Sequence, residues 1–183
     1  MMTSPDNWLR RKALFAMFLA LGIVLYVLEG LFPPLLPVPG AKLGLSSIIV
    51  IIAMLVLGYT DGIWLAMMRS ILGSFIGGAF LSPGSILSLV GALVSAMVVA
   101  FALKFLRPAL SLIGISILGA IAHNLTQLLL AFLLLIKSAA LLYYLPFLLL
   151  FGLVSGSVTG LLAVYLVEQL PLTKAAWPQH NMW

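Results

Sequence analysis

The chain has no cysteine, two histidines and four acidic residues in 183 positions, and charged residues make up only 7% of it. Without cysteine there are no disulfides, thiolate metal sites or cysteine nucleophiles. The acids, Asp6, Glu29, Asp61 and Glu168, are widely spaced. They form no Asp-rich cluster of the kind that holds Mg²⁺ in phosphoryl or prenyl-diphosphate chemistry. No Walker loop and no Ser-His-Asp constellation is present either. The sequence therefore predicts a protein that is not an enzyme, needs no cofactor and hydrolyses no ATP. If it drives uphill transport, the energy comes from a partner subunit or an ion gradient.

What the chain has in abundance is apolar residues: 64% are hydrophobic and the mean hydropathy is +1.28. Soluble domains carry roughly 25% charged residues, so this composition suits a bilayer. The net charge of +5 is spread over segment ends and forms no stripe, which speaks for membrane topology and against nucleic acid. Arg10, Arg11 and Lys12 precede an apolar run from Ala13 to Phe32. A signal-peptide core is about 7–15 residues, shorter than this run. Glu29-Gly30-Leu31-Phe32-Pro33-Pro34 also lacks a small-x-small cleavage pattern, so the run reads as a retained helix.

Apolar runs and breakers predict an all-α integral membrane protein, a single bundle of six transmembrane helices. The expected helices lie near 11–31, 45–57, 62–80, 85–105, 110–137 and 141–168. Residues 1–10 and 169–183 are short tails around one domain, 11–168. Pro33, Pro34, Pro37 and Pro39 make an extended loop after the first helix. Gly58 to Gly62 reads as a tight turn, with Thr60 or Asp61 as a cap for the third helix. Ser82-Pro83 reads as the start of the fourth. With the N-terminus inside, Arg10, Arg11, Lys12, Lys104, Arg107 and Lys174 are cytoplasmic, and Lys42 and Lys137 are outside. The positive-inside rule then puts both termini in the cytoplasm.

Two polar features interrupt the apolar segments. Arg69 sits within the third helix, with Ser70, Ser74 and Gly77 sharing a neighbouring face. His123, Asn124 and Gln127 lie on one side of the fifth. On a rise of ~1.5 Å per residue, Arg69 is roughly 12 Å and His123 about 20 Å from the inner side, which allows a shared site. No acid is expected mid-membrane beside Arg69, so it should meet acceptors or anions. A helix-to-helix hydrogen-bond clamp is the alternative for the second cluster. One intramembrane histidine without a nearby carboxylate argues against a metal. Lys42 either pairs with Glu29 or rims an outward-facing pocket. The candidate substrate-binding residues are Lys42, Arg69, Ser74, His123, Asn124 and Gln127. Ala16-x-x-x-Ala20 is a small-residue face suited to close helix packing.

Pro39-Gly-Ala-Lys-Leu-Gly-Leu-Ser-Ser47, Arg69-x-x-Leu-Gly-Ser-Phe-x-Gly-Gly78, Leu81-Ser-Pro-Gly-Ser85 and His123-Asn-x-x-Gln127 together resemble the bacterial Gx transporter family. Its members often carry the label heptaprenyl diphosphate synthase component I. The family looks related to the substrate-binding S components of energy-coupling factor (ECF) transporters. The resemblance implies a multi-pass protein of the bacterial cytoplasmic membrane that binds a small, vitamin-like, aromatic or anionic solute. It implies an energising module of ATPases and a transmembrane coupling protein as partner, with Ala16 and Ala20 contacting the coupling protein. The label implies an alternative, a non-catalytic membrane subunit of an isoprenoid, quinone or electron-transfer system.

Overall fold

The computed structural model describes residues 5–31, 44–107, 109–135 and 137–169. Among the described residues six α-helices make up the fold: α1 (Pro5–Leu31), α2 (Leu45–Leu57), α3 (Tyr59–Ile76), α4 (Pro83–Phe101), α5 (Leu112–Leu134) and α6 (Leu145–Gln169). Among the described residues there is no strand. A π turn, Ala102–Leu106, ends α4, and a 3₁₀ turn, Ala139–Tyr144, leads into α6.

Several limits differ from those expected. The first helix begins at Pro5 rather than near Arg11. The expected turn at Gly58–Gly62 shrinks to Gly58, whose φ of 112° lets α3 start at Tyr59. Neither Thr60 nor Asp61 caps α3. Asp61 instead accepts Arg11 Nη2 at 2.6 Å and Nε at 3.0 Å, tying α3 to α1. The start of α4 is as expected, with Ser82 accepting from Ser85 N and Pro83 in the first turn.

The outer helices follow one another in a row, and α2 packs along its inner side and joins α1 to α6. Neighbours run α1, α3, α4, α5, α6, and α2 touches α1, α3, α4 and α6. From Ile48 to Met54 every residue of α2 is buried. A helix apolar on all sides belongs in an interior, which explains how α2 tolerates no polar face. Glycines bring the outer helices together. Gly156 and Gly160 of α6 lie against the backbone at Ile117 and Ile113 of α5. Gly119 of α5 lies against Val99 of α4, and Gly73 of α3 against the ring of Tyr26 on α1.

Among the described residues four segments are long and apolar enough to cross a membrane: Trp8–Leu31, Pro83–Leu106, Leu112–Leu134 and Leu145–Gln169. The protein is a multi-pass helical membrane protein. At ~1.5 Å per residue the 13 residues of α2 reach only about 20 Å, short of a ~30 Å hydrocarbon layer. The inward face of α3 carries Arg69, Ser70 and Ser74, which lowers its mean hydropathy. Yet Trp64, Met68, Leu72, Phe75 and Ile76 leave its outer face exposed and apolar. That stripe suits lipid rather than water.

The α2 N-terminus is held by α1. Gly44 precedes α2 with φ 80° and gives no side-chain cap. Glu29 takes over that role: its Oε1 accepts from Leu45 N–H, and its Oε2 accepts from Ser46 Oγ at 2.8 Å. A carboxylate at a helix N-terminus satisfies unpaired N–H groups and opposes the helix dipole. Replacing Glu29 with Ala should lower stability by about 0.5–2 kcal/mol, the usual range for loss of a cap. Chemical denaturation in detergent measures this, and an unchanged midpoint would show that α2 starts without help from α1.

Candidate functional site

Buried apolar side chains form two clusters. One gathers α2 with Leu65, Leu103, Leu112, Ile115 and Val164. The other gathers Leu87, Leu128, Ala131, Leu141 and Leu148. Beside the α2 cluster lies a cavity that is partly open to the surroundings and has many polar side chains in its lining.

Helical periodicity explains why the cavity exists. Ser88, Ala92, Ser95, Ala96 and Val99 form one face of α4, and Ser116, Gly119, Ala120, His123 and Asn124 form one face of α5. Small side chains on both faces leave space where larger ones would fill it. From α2 come Gly44, Ser46, Ser47, Val50 and Ile51, and from α6 Ser155 and Thr159. Tyr26 and Glu29 of α1 and Ala66 and Arg69 of α3 close the lining.

Arg69 is 4% exposed. Its aliphatic stem lies on Gly22, where an added Cβ would come within 3.2 Å of Cδ. Its Nε and Nη1 are buried without a hydrogen-bond partner among the described residues. Burying such donors unpaired is unfavourable by several kcal/mol per charged group, so the arrangement is unlike ordinary packing. Glu29, 7% exposed, lines the same cavity. The absence of an acid beside Arg69, expected from the sequence, is thus corrected. Glu29 and Tyr26 both act electrostatically on Arg69, though no N···O approach within 4.0 Å joins Arg69 to Glu29.

The other expected site residues separate. His123 and Asn124 line the cavity. Asn124 Nδ2 donates to Leu148 O at 3.1 Å, so its amide also clamps α5 to α6. Gln127 is fully buried and does not line the cavity. Its Nε2 lies 3.0 Å from His123 Nε2, one turn back on the same helix, and so it orients the ring. Ser74 also lies outside this cavity. Its hydroxyl donates to Ile71 O at 2.9 Å, and it lines a second cavity with Gly73, Gly77, Ser82 and Ser85. Tyr26 lines both cavities. Lys42 lies outside the described residues.

Sequence reasoning missed Glu29, Tyr26 and the hydroxyl lining. The hydroxyls are organised: Ser95 donates to Gly119 O at 2.8 Å, and Ser116 and Thr159 meet at 2.8 Å. Thr159 also donates to Gly156 O, which leaves Ser116 as the donor in that pair. A usable signal was present. Gly22, Tyr26 and Glu29 fall at helical spacing on one face of α1 and all turn toward Arg69 or its cavity. Ala16 and Ala20 are exposed on α1, so they do not serve internal packing.

Among the described residues no three of His, Cys, Asp and Glu are grouped to hold a metal. The site offers one guanidinium, one carboxylate, an imidazole, an amide and several hydroxyls in a buried space. Such a set binds and orients a polar molecule.

A search of curated proteins and a search of solved structures return no match. The family model described as heptaprenyl diphosphate synthase component I matches residues 18–166. That span runs from within α1 to near the end of α6 and includes every residue that lines the cavity, and the chain belongs to this family.

Proposed function

We propose that the protein is the substrate-binding membrane subunit of a small-molecule transporter, similar in role to the S components of ECF transporters. It crosses the bacterial cytoplasmic membrane six times with both termini inside, and it catalyses no reaction itself. The observation that carries this reading is Arg69: a buried arginine that lines a cavity and whose Nε and Nη1 have no hydrogen-bond partner among the described residues. A buried charge kept in that state is better explained by a solute than by structure. His123, Asn124 and the hydroxyls of Ser46, Ser88 and Ser95 orient the solute, and Val50, Ile51 and Val99 cover its apolar part. Ala16 and Ala20 present small side chains on the outside of α1, where a coupling protein's helix can approach closely.

A second reading rests on the family description, which names a synthase component. In it the protein is a non-catalytic membrane partner of an isoprenoid or quinone system. Affinity purification of the tagged full chain separates the two. Recovery of ATPases with a membrane coupling protein is the expected result; recovery of a soluble prenyl synthase or a reductase in their place replaces the first reading with the second. Native mass spectrometry of the same sample should show a small carried-over solute that is lost when Arg69→Ala and Asn124→Ala are combined.

A further inference from the structure

We infer that the solute of the central cavity is a small zwitterion, with its carboxylate on Arg69 and its protonated amine toward Glu29. The inference rests on the reading of that cavity as a solute site and specifies the chemical class the site takes.

Three observations converge on it. First, both charged side chains are at least nine-tenths buried and line the same space, yet they stay more than 4.0 Å apart. Opposite charges in a low-dielectric interior attract strongly, so a gap between them is held open by the helices that carry them. Arg69 is fixed against Gly22 of α1, and Glu29 is fixed on the α2 N-terminus.

Second, each group has capacity left. Nε and Nη1 of Arg69 have no hydrogen-bond partner among the described residues, and the guanidinium's planar fork of donors fits a carboxylate. Each oxygen of Glu29 receives one donor, Leu45 N–H on Oε1 and the Ser46 hydroxyl on Oε2. A carboxylate oxygen has a second lone pair, so Glu29 can accept an ammonium while it still caps α2.

Third, the charge balance restricts the net charge of the occupant. Among the described lining residues there is one permanent cation and one carboxylate. A polyphosphate would leave several negative charges in a buried site with a single arginine. A plain monoanion would satisfy Arg69 but leave Glu29 facing a like charge. A zwitterion leaves no net charge and gives each buried group a partner of opposite sign. The hydroxyls of Ser88, Ser95 and Ser116 line the space the two ends share; Ser95 and Ser116 spend their hydrogens on Gly119 O and Thr159 and keep lone pairs to accept from the amine end.

The test uses the full chain in detergent, titrated with β-alanine, propionate and inorganic pyrophosphate and read by thermal shift and calorimetry. β-Alanine should bind about tenfold or more tightly than propionate, the ratio expected for one added charge-assisted hydrogen bond. Glu29→Gln keeps a carbonyl acceptor for the α2 cap and should bring that ratio close to one. Propionate or pyrophosphate binding as tightly as β-alanine overturns the zwitterion class, and so does the absence of a response to all three, which would mean a water-filled gap. A pyrophosphate response abolished by Arg69→Met keeps the solute site and discards the zwitterion. A response to any probe that survives Arg69→Met discards the site as well.

Discussion

Gly156→Leu should prevent the bundle from reaching its packed state. A Cβ at Gly156 would lie 2.6 Å from Ile117 Cα and 3.1 Å from Ile117 N. Those are backbone atoms of the opposite helix, so no rotamer change relieves the clash, and α5 and α6 must part. Gly160 repeats the contact one turn on, with Ile113 Cα at 2.8 Å, so separation at one glycine strips packing from the other. Overpacking a core typically destabilises by about 1–3 kcal/mol, and a full leucine against backbone belongs at or above the top of that range. For a chain of this length about 3 kcal/mol corresponds to a fall of roughly 10 °C in melting midpoint. Gly30→Leu is the matched control, because among the described residues nothing lies within 4 Å of an added Cβ there and the position is exposed. Fluorescence-detected melting in detergent compares the two. Equal midpoints would mean that α5 and α6 are not in backbone contact.

Arg69→Met should separate stability from binding by moving them in opposite directions. Methionine is unbranched and adaptable, so it can follow the path of the arginine stem over Gly22. It removes a buried charge whose Nε and Nη1 have no partner among the described residues. Replacing buried ionic groups with well-packed apolar ones is often neutral or stabilising by about 1–4 kcal/mol. The solute-free variant should therefore melt at or above the wild-type midpoint, by up to about 10 °C on the same scale. Retention of the solute in native mass spectra should be lost. A structural arginine behaves differently, since its removal lowers the midpoint and leaves binding intact. Such a result would return Arg69 to the scaffold.

These two positions also show what the sequence made legible. The limits of α2, Leu45 to Leu57, match the apolar run between Gly44 and Gly58, because two glycines with positive φ bound it. That Arg69, His123 and Asn124 should meet one polar space was readable because a charge or amide in an apolar run is costly unless something polar meets it, and all three line one cavity. Ser74 and Gln127 were assigned by the same logic and fall elsewhere. Spacing along a helix fixes a face but not which neighbour that face meets, and Ser74 meets a different cavity while Gln127 meets His123. Glu29 escaped for the converse reason. Its depth along α1 placed it near a membrane edge, but α2 begins deep in the bundle, with Gly44 about level with Thr159 near the middle of α6. The chain between α1 and α2 carries the α2 N-terminus to the acid, and no local pattern in α1 records that.

The short central helix has a consequence for biogenesis. Thirteen residues make a short span, and the helix after it carries Arg69, a residue that costs an isolated helix about 2.5–3.5 kcal/mol at the bilayer centre during insertion. Gly58 alone separates the two helices, so they emerge from the ribosome as one hairpin. Neither half is a good independent insertion signal, whereas α1 and the α4 segment are. Stable insertion of α2 and α3 is therefore expected to depend on the flanking helices. The residues that make the cavity polar are also the ones that delay its walls from entering lipid.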